Sequence, residues 1–245
     1  MLAVAVPYHL DEHLDAFAPG PVDVTVAAEL PAGDPWSRMA VLYGQVADVV
    51  AAAGQPVTVL SGDCTTSLGV LAGLQRAGED PAVVWLDAHA DFQTEATTAS
   101  GYLGGMPLAL AAGVGELTLP RLLGLRPVPA ATLLGARDVD PPEEGLLADS
   151  TVRRRPVDDL GPLPDGPLYL HVDLDVCDPA EVPDLLYPAP GGPPLATVLD
   201  ALRQVVATGR VAAVGLALTW RLGGQHAAAQ DMVRDAVRAA VGALP

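Results

Sequence analysis

The amino-acid sequence predicts an α/β fold built on a mainly parallel sheet with helices on both faces. Short β-branched runs alternate with Ala/Leu-rich periodic segments along the whole chain, glycines stand where those segments end, and no internal repeat, heptad or linker interrupts the alternation. Strands are expected at Leu2 to Val6, Val57 to Leu60, Ala82 to Leu86, Thr132 to Gly135, Leu168 to Val172 and Val211 to Leu218. Helical patterns lie at Pro35 to Ala53, Thr65 to Ala77, Met106 to Ala112, Pro194 to Ala207 and Gln225 to Leu244. Gly54, Gly78, Gly113 and Gly209 follow helical segments, where a left-handed C-terminal residue is expected. The Pro/Gly-rich stretches Gly161 to Pro167 and Pro188 to Pro194 are short enough to be loops.

Composition bounds what such a fold would do. The chain has 245 residues, half of them hydrophobic, enough for one well-filled core and few for two, so residues 1–245 are expected to form one domain. Thirteen basic residues against 30 acidic ones give a formal net charge of −17, which leaves no basic stripe for nucleic acid or for an anionic membrane surface. The N-terminal MLAVAVPYHLDEH lacks a basic region followed by a long apolar one, and no apolar run approaches the ~18 residues of a spanning helix. A cytoplasmic protein is the expectation. Cys64 and Cys177 are too few for a disulfide framework, and such a pair is buried or ligating more often than bridged.

Ligands of a parallel α/β sheet bind at the carboxyl ends of its strands. The strand at Val57 runs into SGDCTTS, delivering Asp63 and Cys64. The next runs into WLDAHADFQT, where Asp87, His89 and Asp91 recur at every second position and so point one way on extended chain. The strand at Leu168 runs into HVDLDVCDP, with His171, Asp173 and Asp175 on one face. A lone acid or imidazole at a strand end is usually a cap or a surface residue. Four aspartates entering from apolar runs are different: buried together they repel, so either they take up protons or divalent cations neutralise them. Several carboxylates with an imidazole suit a hard, oxygen-preferring ion such as manganese, and carboxylates from separate strands can bridge a metal pair that activates water.

DAHAD, HVDLDVCDP, ATTASGYLGGMPLALAAG and GARDVDPPEE together resemble, in order and spacing, the arginase/agmatinase (ureohydrolase) family over roughly Val57 to Trp220. The resemblance implies a three-layer α/β/α, arginase/deacetylase-like fold, a manganese pair, trimers or hexamers, and hydrolysis of an amidino C–N bond by a metal-bridging hydroxide. Carried over by position, Asp87 and Asp173 would bridge both metals, His89 and Asp175 would complete one site, and Asp91 with Cys64 the other. Asp91 would also hold the hydroxide through a hydrogen bond. Ser100 and Asp140, with Gln93, Thr98 and Glu143, match positions that in arginases contact the α-carboxylate and α-amino group of the substrate.

Four positions in three segments depart from the family pattern. Cys64 stands where an imidazole normally ligates one metal, Gly104 where a histidine near the leaving group is expected, and Ala217 and Trp220 replace acids, the second of which normally pairs with the guanidinium. SGDC and GYLGGMP resemble a smaller branch of the family, the Nω-hydroxyarginine amidinohydrolases, which release hydroxyurea. A thiolate adds negative charge to its metal and suits manganese less than imidazole does, so the Cys64 site is expected to be the weaker one. His171, on the metal face of its strand, reads as a proton-transfer group or as a hydrogen-bonded packing residue. The indole of Trp220 would cover the planar amidine by stacking.

Two functions follow. One is a manganese-dependent amidinohydrolase for a small guanidine or amidine on an amino-acid skeleton, arginine-like and including its N-hydroxylated form. The other is a non-catalytic or single-metal binding or assembly protein that keeps the fold. A hydrolase of another linear amidine is a variant of the first.

Overall fold

The computed structural model describes residues 1–221 and 226–242. Its strands are β1 (Leu2–Val6), β2 (Tyr8–His9), β3 (Glu12–His13), β4 (Val24–Thr25), β5 (Val57–Ser61), β6 (Ala82–Leu86), β7 (Ala131–Leu134), β8 (Arg153–Arg155), β9 (Leu168–Asp173) and β10 (Val211–Ala217). The α-helices are α1 (Pro35–Ala52), α2 (Ser67–Arg76), α3 (Pro107–Ala111), α4 (Thr118–Leu123), α5 (Pro141–Ala148), α6 (Leu195–Val206) and α7 (Ala227–Val241). The helix expected from Gln225 to Leu244 is α7; both of those end residues lie outside the described residues.

Eight strands form one sheet in the order β4-β1-β5-β10-β9-β6-β7-β8, every neighbouring pair parallel. Strands buried on both faces explain why the central ones are apolar without alternation. Residues one apart still go to opposite sides. Val83 and Trp85 of β6 join Tyr169 of β9 in a core covered by α1 to α4, while Val84, Leu86, Leu168, Leu170 and Val172 join a second core under α6 and α7. These two cores make the three layers.

Local chemistry sets the helix ends. Asp34 caps α1 through the Ser37 amide and hydroxyl, with Pro35 at the first helical position. Gly54, Gly78, Gly113 and Gly209 all carry the expected positive φ. The edge strands β4 and β8 and the antiparallel hairpin β2-β3 were not foreseen; they are two or three residues long and mostly exposed, so no hydrophobic period marks them. Among the described residues, no helix is long and apolar enough to cross a membrane.

Candidate metal centre

The register of the sheet builds the site. Trp85 pairs with His171 across β6 and β9, so the residues two further on, Asp87 and Asp173, come level at the carboxyl ends. A third carboxyl end, that of β5, delivers Cys64. Gly62 is required there: a Cβ would sit 2.6 Å from the Tyr8 carbonyl oxygen and 2.5 Å from Leu14 Cδ1. Asp63 fixes the turn, its Oδ1 accepting from the Thr65 amide at 2.7 Å and its Oδ2 from the Leu10 amide at 2.8 Å.

These elements bring all six residues expected as ligands to one cavity of about 300 Å³. Cys64 Sγ lies 3.1 Å from Asp173 Oδ2 and 3.9 Å from Asp87 Oδ2. His89 Nδ1 lies 3.0 Å from Asp175 Oδ2 and 3.4 Å from Asp87 Oδ1. Asp87, His89 and Asp175 each offer a ligand atom within 4.8 Å of the others, and so do Cys64, Asp87 and His171. Asp87 belongs to both sets. Each of these carboxylates is also held by a further donor: the Trp85 indole N–H donates to Asp87, the Ala88 amide to Asp175 and the Thr219 hydroxyl to Asp173.

Such crowding has an electrostatic signature. Burial, then the charge of Asp87, pushes the Asp91 carboxyl far up and Asp173 to about 6; burial and Asp173 raise Asp175. The Cys64 thiol is raised by burial and by Asp173. Burial alone would lower His89, but its hydrogen bonds to Asp175 and Asp87 outweigh that and push it to about 12. Asp87, also opposed by burial, is held low by His89. The cluster therefore demands positive charge, which protons supply in the absence of a cation. Asp91 Oδ2 is fully buried with no hydrogen-bond partner, and its backbone takes φ 50°. A buried unpartnered carboxylate oxygen beside three other carboxylates, an imidazole and a thiol fits a cation site.

Away from this cluster the cavity is lined by Gln93, Thr98, Ser100, Asp140 and Glu143, the residues expected to contact the substrate. Gln93 Nε2 donates to Asp140 Oδ2 at 2.8 Å. Buried Glu143 accepts from the Phe92 and Asp140 amides at 2.9 and 3.0 Å, joining the start of α5 to the segment carrying Asp91. Thr98 and Ser100 stand at the more open rim, their hydroxyls accepting from the Gly101 and Tyr102 amides.

Two expected residues lie elsewhere. Trp220 is absent from the cavity lining; it pairs with Leu185 and is buried in the core under α6 and α7, because the chain past β10 continues the face alternation of the strand. Its neighbour Thr219 lines the cavity instead. His171 sits beneath the cavity, stacked on Trp85 at a centroid distance of 3.6 Å, with Nδ1 3.0 Å from Ser67 Oγ, which accepts from the Tyr169 hydroxyl. Burial pushes its imidazole down to about 3, so it is neutral. Tyr102, Asp138, Tyr187 and Thr219 line the cavity without having been foreseen. GYLGGMP drew attention to Gly104, and no pattern separates Tyr102 from an ordinary aromatic residue.

Fold and site together define a three-layer α/β protein with an acidic, cation-seeking centre at the carboxyl ends of a parallel sheet. The Arginase family model matches residues 3–217, and the chain belongs to the arginase family. It is 37% identical over 137 residues to an N(omega)-hydroxy-L-arginine amidinohydrolase of Streptomyces lavendulae, covering 53% of this chain and 49% of that protein. It is 34% identical over 170 residues to an arginase of Brevibacillus brevis, covering 62% and 56%. The chain thus spans about half the length of the curated relatives it matches. Among solved structures it resembles the Entamoeba histolytica arginase with a TM-score of 0.81 at 18% identity, covering 99% of this chain and 98% of that one.

Proposed function

We propose that this chain, acting as one domain, is a manganese-dependent amidinohydrolase that cleaves a C–N bond of an arginine-like, N-hydroxylated amino acid. The observation that carries the reading is the convergence of Cys64, Asp87, His89, Asp91, Asp173 and Asp175 on one cavity that also holds Ser100 and Asp140. Asp87 and Asp173 would bridge two metals, His89 and Asp175 completing one site, Cys64 and Asp91 the other. When bound, the pair supplies Lewis acidity and a water of lowered pKa. Asp91, whose Oδ2 has no protein partner, would accept a hydrogen bond from the attacking water and orient it. Ser100 and Thr98 would donate to the substrate carboxylate, and Asp140 would accept from its ammonium group. His171 would keep Asp87 in place through Trp85.

The substrate preference follows from what lines the cavity near Asp173. Thr219 is neutral and committed to Asp173, so no acid there matches a fully charged guanidinium, and a weakly basic N-hydroxyguanidine is disfavoured less. One charge-assisted hydrogen bond contributes about 1.5–3 kcal/mol, so Nω-hydroxyarginine should exceed arginine in kcat/KM by about 10- to 100-fold. Parallel assays with manganese on arginine, agmatine and Nω-hydroxyarginine test this. Arginine as the best substrate would overturn the preference. No turnover of any amidine with metal bound would leave a binding protein that keeps the fold.

A further inference from the structure

The space beside Gly104 is not empty. A Cβ built there would lie 2.3 Å from both Cζ and Oη of Tyr102, so the Tyr102 phenol fills the volume a side chain at 104 would take. Both residues line the cavity with Cys64 and the carboxylates.

The phenol is also held. Tyr102 Oη lies 3.0 Å from His9 Nε2, and His9 Nδ1 lies 3.0 Å from the Gly62 carbonyl oxygen. A carbonyl oxygen only accepts, so Nδ1 carries a proton and Nε2 is the ring atom that faces the Tyr102 hydroxyl. The two rings stack at 5.9 Å and 15°. The hairpin bearing His9 is itself pinned to the loop of Cys64: the Gly62 amide donates to the Tyr8 carbonyl and the Leu10 amide to Asp63. Burial, then Asp63, keeps the phenol protonated. Among the described residues lining the cavity, Tyr102 is the one whose hydroxyl is tied to an imidazole, and half-buried His9 keeps an edge toward solvent.

We propose that Tyr102, positioned by His9, donates the proton that the leaving nitrogen needs when the amidine C–N bond breaks, an assignment that rests on the hydrolase reading above. The electron pair of the broken bond goes to the nitrogen, which takes the Tyr102 hydroxyl proton. Tyr102 Oη regains a proton from solvent by way of His9 Nε2, while the Nδ1–H stays on Gly62. The His9 ring ends the cycle in the form in which it began, and no charge is left on the phenol.

General-acid catalysis contributes about 10²–10⁴-fold. With manganese and Nω-hydroxyarginine, Tyr102→Phe should lower kcat at least about 100-fold with KM within about 2-fold, while the unfolding midpoint and metal content stay at wild-type values. His9→Gln should lower kcat less. Gly104→His alone should collide with the phenol and give no gain, whereas Tyr102→Ala with Gly104→His should recover at least about 10-fold in kcat over Tyr102→Ala, by supplying an imidazole in the vacated space. Independently of turnover, the nitrogen-15 resonance of His9 Nε2 should shift in Tyr102→Phe. Wild-type kcat in Tyr102→Phe, a loss confined to KM, or an unmoved His9 resonance would overturn the assignment. A wild-type protein inert toward every amidine with both metals bound would overturn the hydrolase reading itself, and this with it.

Discussion

A single atom type separates the two halves of the cluster. Asp87, His89 and Asp175 present oxygen and nitrogen to a cation, whereas Cys64 presents sulfur, 3.1 Å from Asp173. To ligate, the thiol must lose a proton that burial and Asp173 hold on it, so metal binding there works against an added cost. Replacing Cys64 by histidine removes that cost and restores a neutral donor of suitable hardness. Cys64→His should therefore tighten manganese at the weaker site by about 10-fold or more, read from a titration followed by isothermal calorimetry. Unchanged or weaker affinity would make Cys64 a buried thiol. Cys177 serves as the comparison: fully buried and pushed to about 12 by burial and Asp175, it should stay unreactive to thiol reagents in the folded protein.

At the scale of the element, the site depends on how closely α2 approaches α1, because α2 follows directly on the loop of Cys64. Glycines set that distance. A Cβ at Gly69 would lie 2.8 Å from the Tyr43 carbonyl oxygen, and one at Gly73 would lie 2.7 Å from that of Ala47. Backbone oxygens cannot step aside, so the helices must separate. Gly73→Val is expected to destabilise the protein by about 2–3 kcal/mol and to lower manganese affinity, while Gly44→Ala, where nothing lies within 4 Å of the added carbon, should be neutral or slightly stabilising. Thermal unfolding of the two variants checks the contrast. Central strands and long helices were legible because burial imposes composition and period on them, and the candidate ligands were legible because polar residues interrupt apolar strands at their carboxyl ends. The strands β4 and β8 left no such mark. Trp220 was misplaced because alternation beyond Ala217 decides which face a side chain takes, and a one-residue step turned Thr219 toward the cavity and the indole into the core. Tyr102 was illegible because its position depends on His9, remote in sequence, as well as on the space left by Gly104.

The whole molecule joins three strand ends through one cluster: β5 supplies Cys64, β6 leads to Asp87, His89 and Asp91, and β9 to Asp173 and Asp175. A cation held by all three crosslinks the centre of the sheet, and because the unfolded chain presents no such site, its binding free energy adds to stability. At a free metal concentration of 100 Kd the gain is about 2.7 kcal/mol per site, which at this chain length corresponds to a rise in Tm of about 5–10 °C per site. Protons compete for the same oxygens. Asp173, at about 6 in the metal-free fold, is mostly protonated at pH 5.5 and mostly ionised at pH 7.5, so affinity and the accompanying rise in Tm should both be larger at the higher pH. The two ligand sets differ in chemistry, so the rise should come in two steps as manganese increases, the first belonging to the site of His89 and Asp175. His89→Ala should abolish the first step and Cys64→Ala the second. A chelator should reverse both. A single step with equal occupancy of two sites, or a rise indifferent to pH between 5.5 and 7.5, would show that the carboxylates do not hold the cation as their arrangement implies.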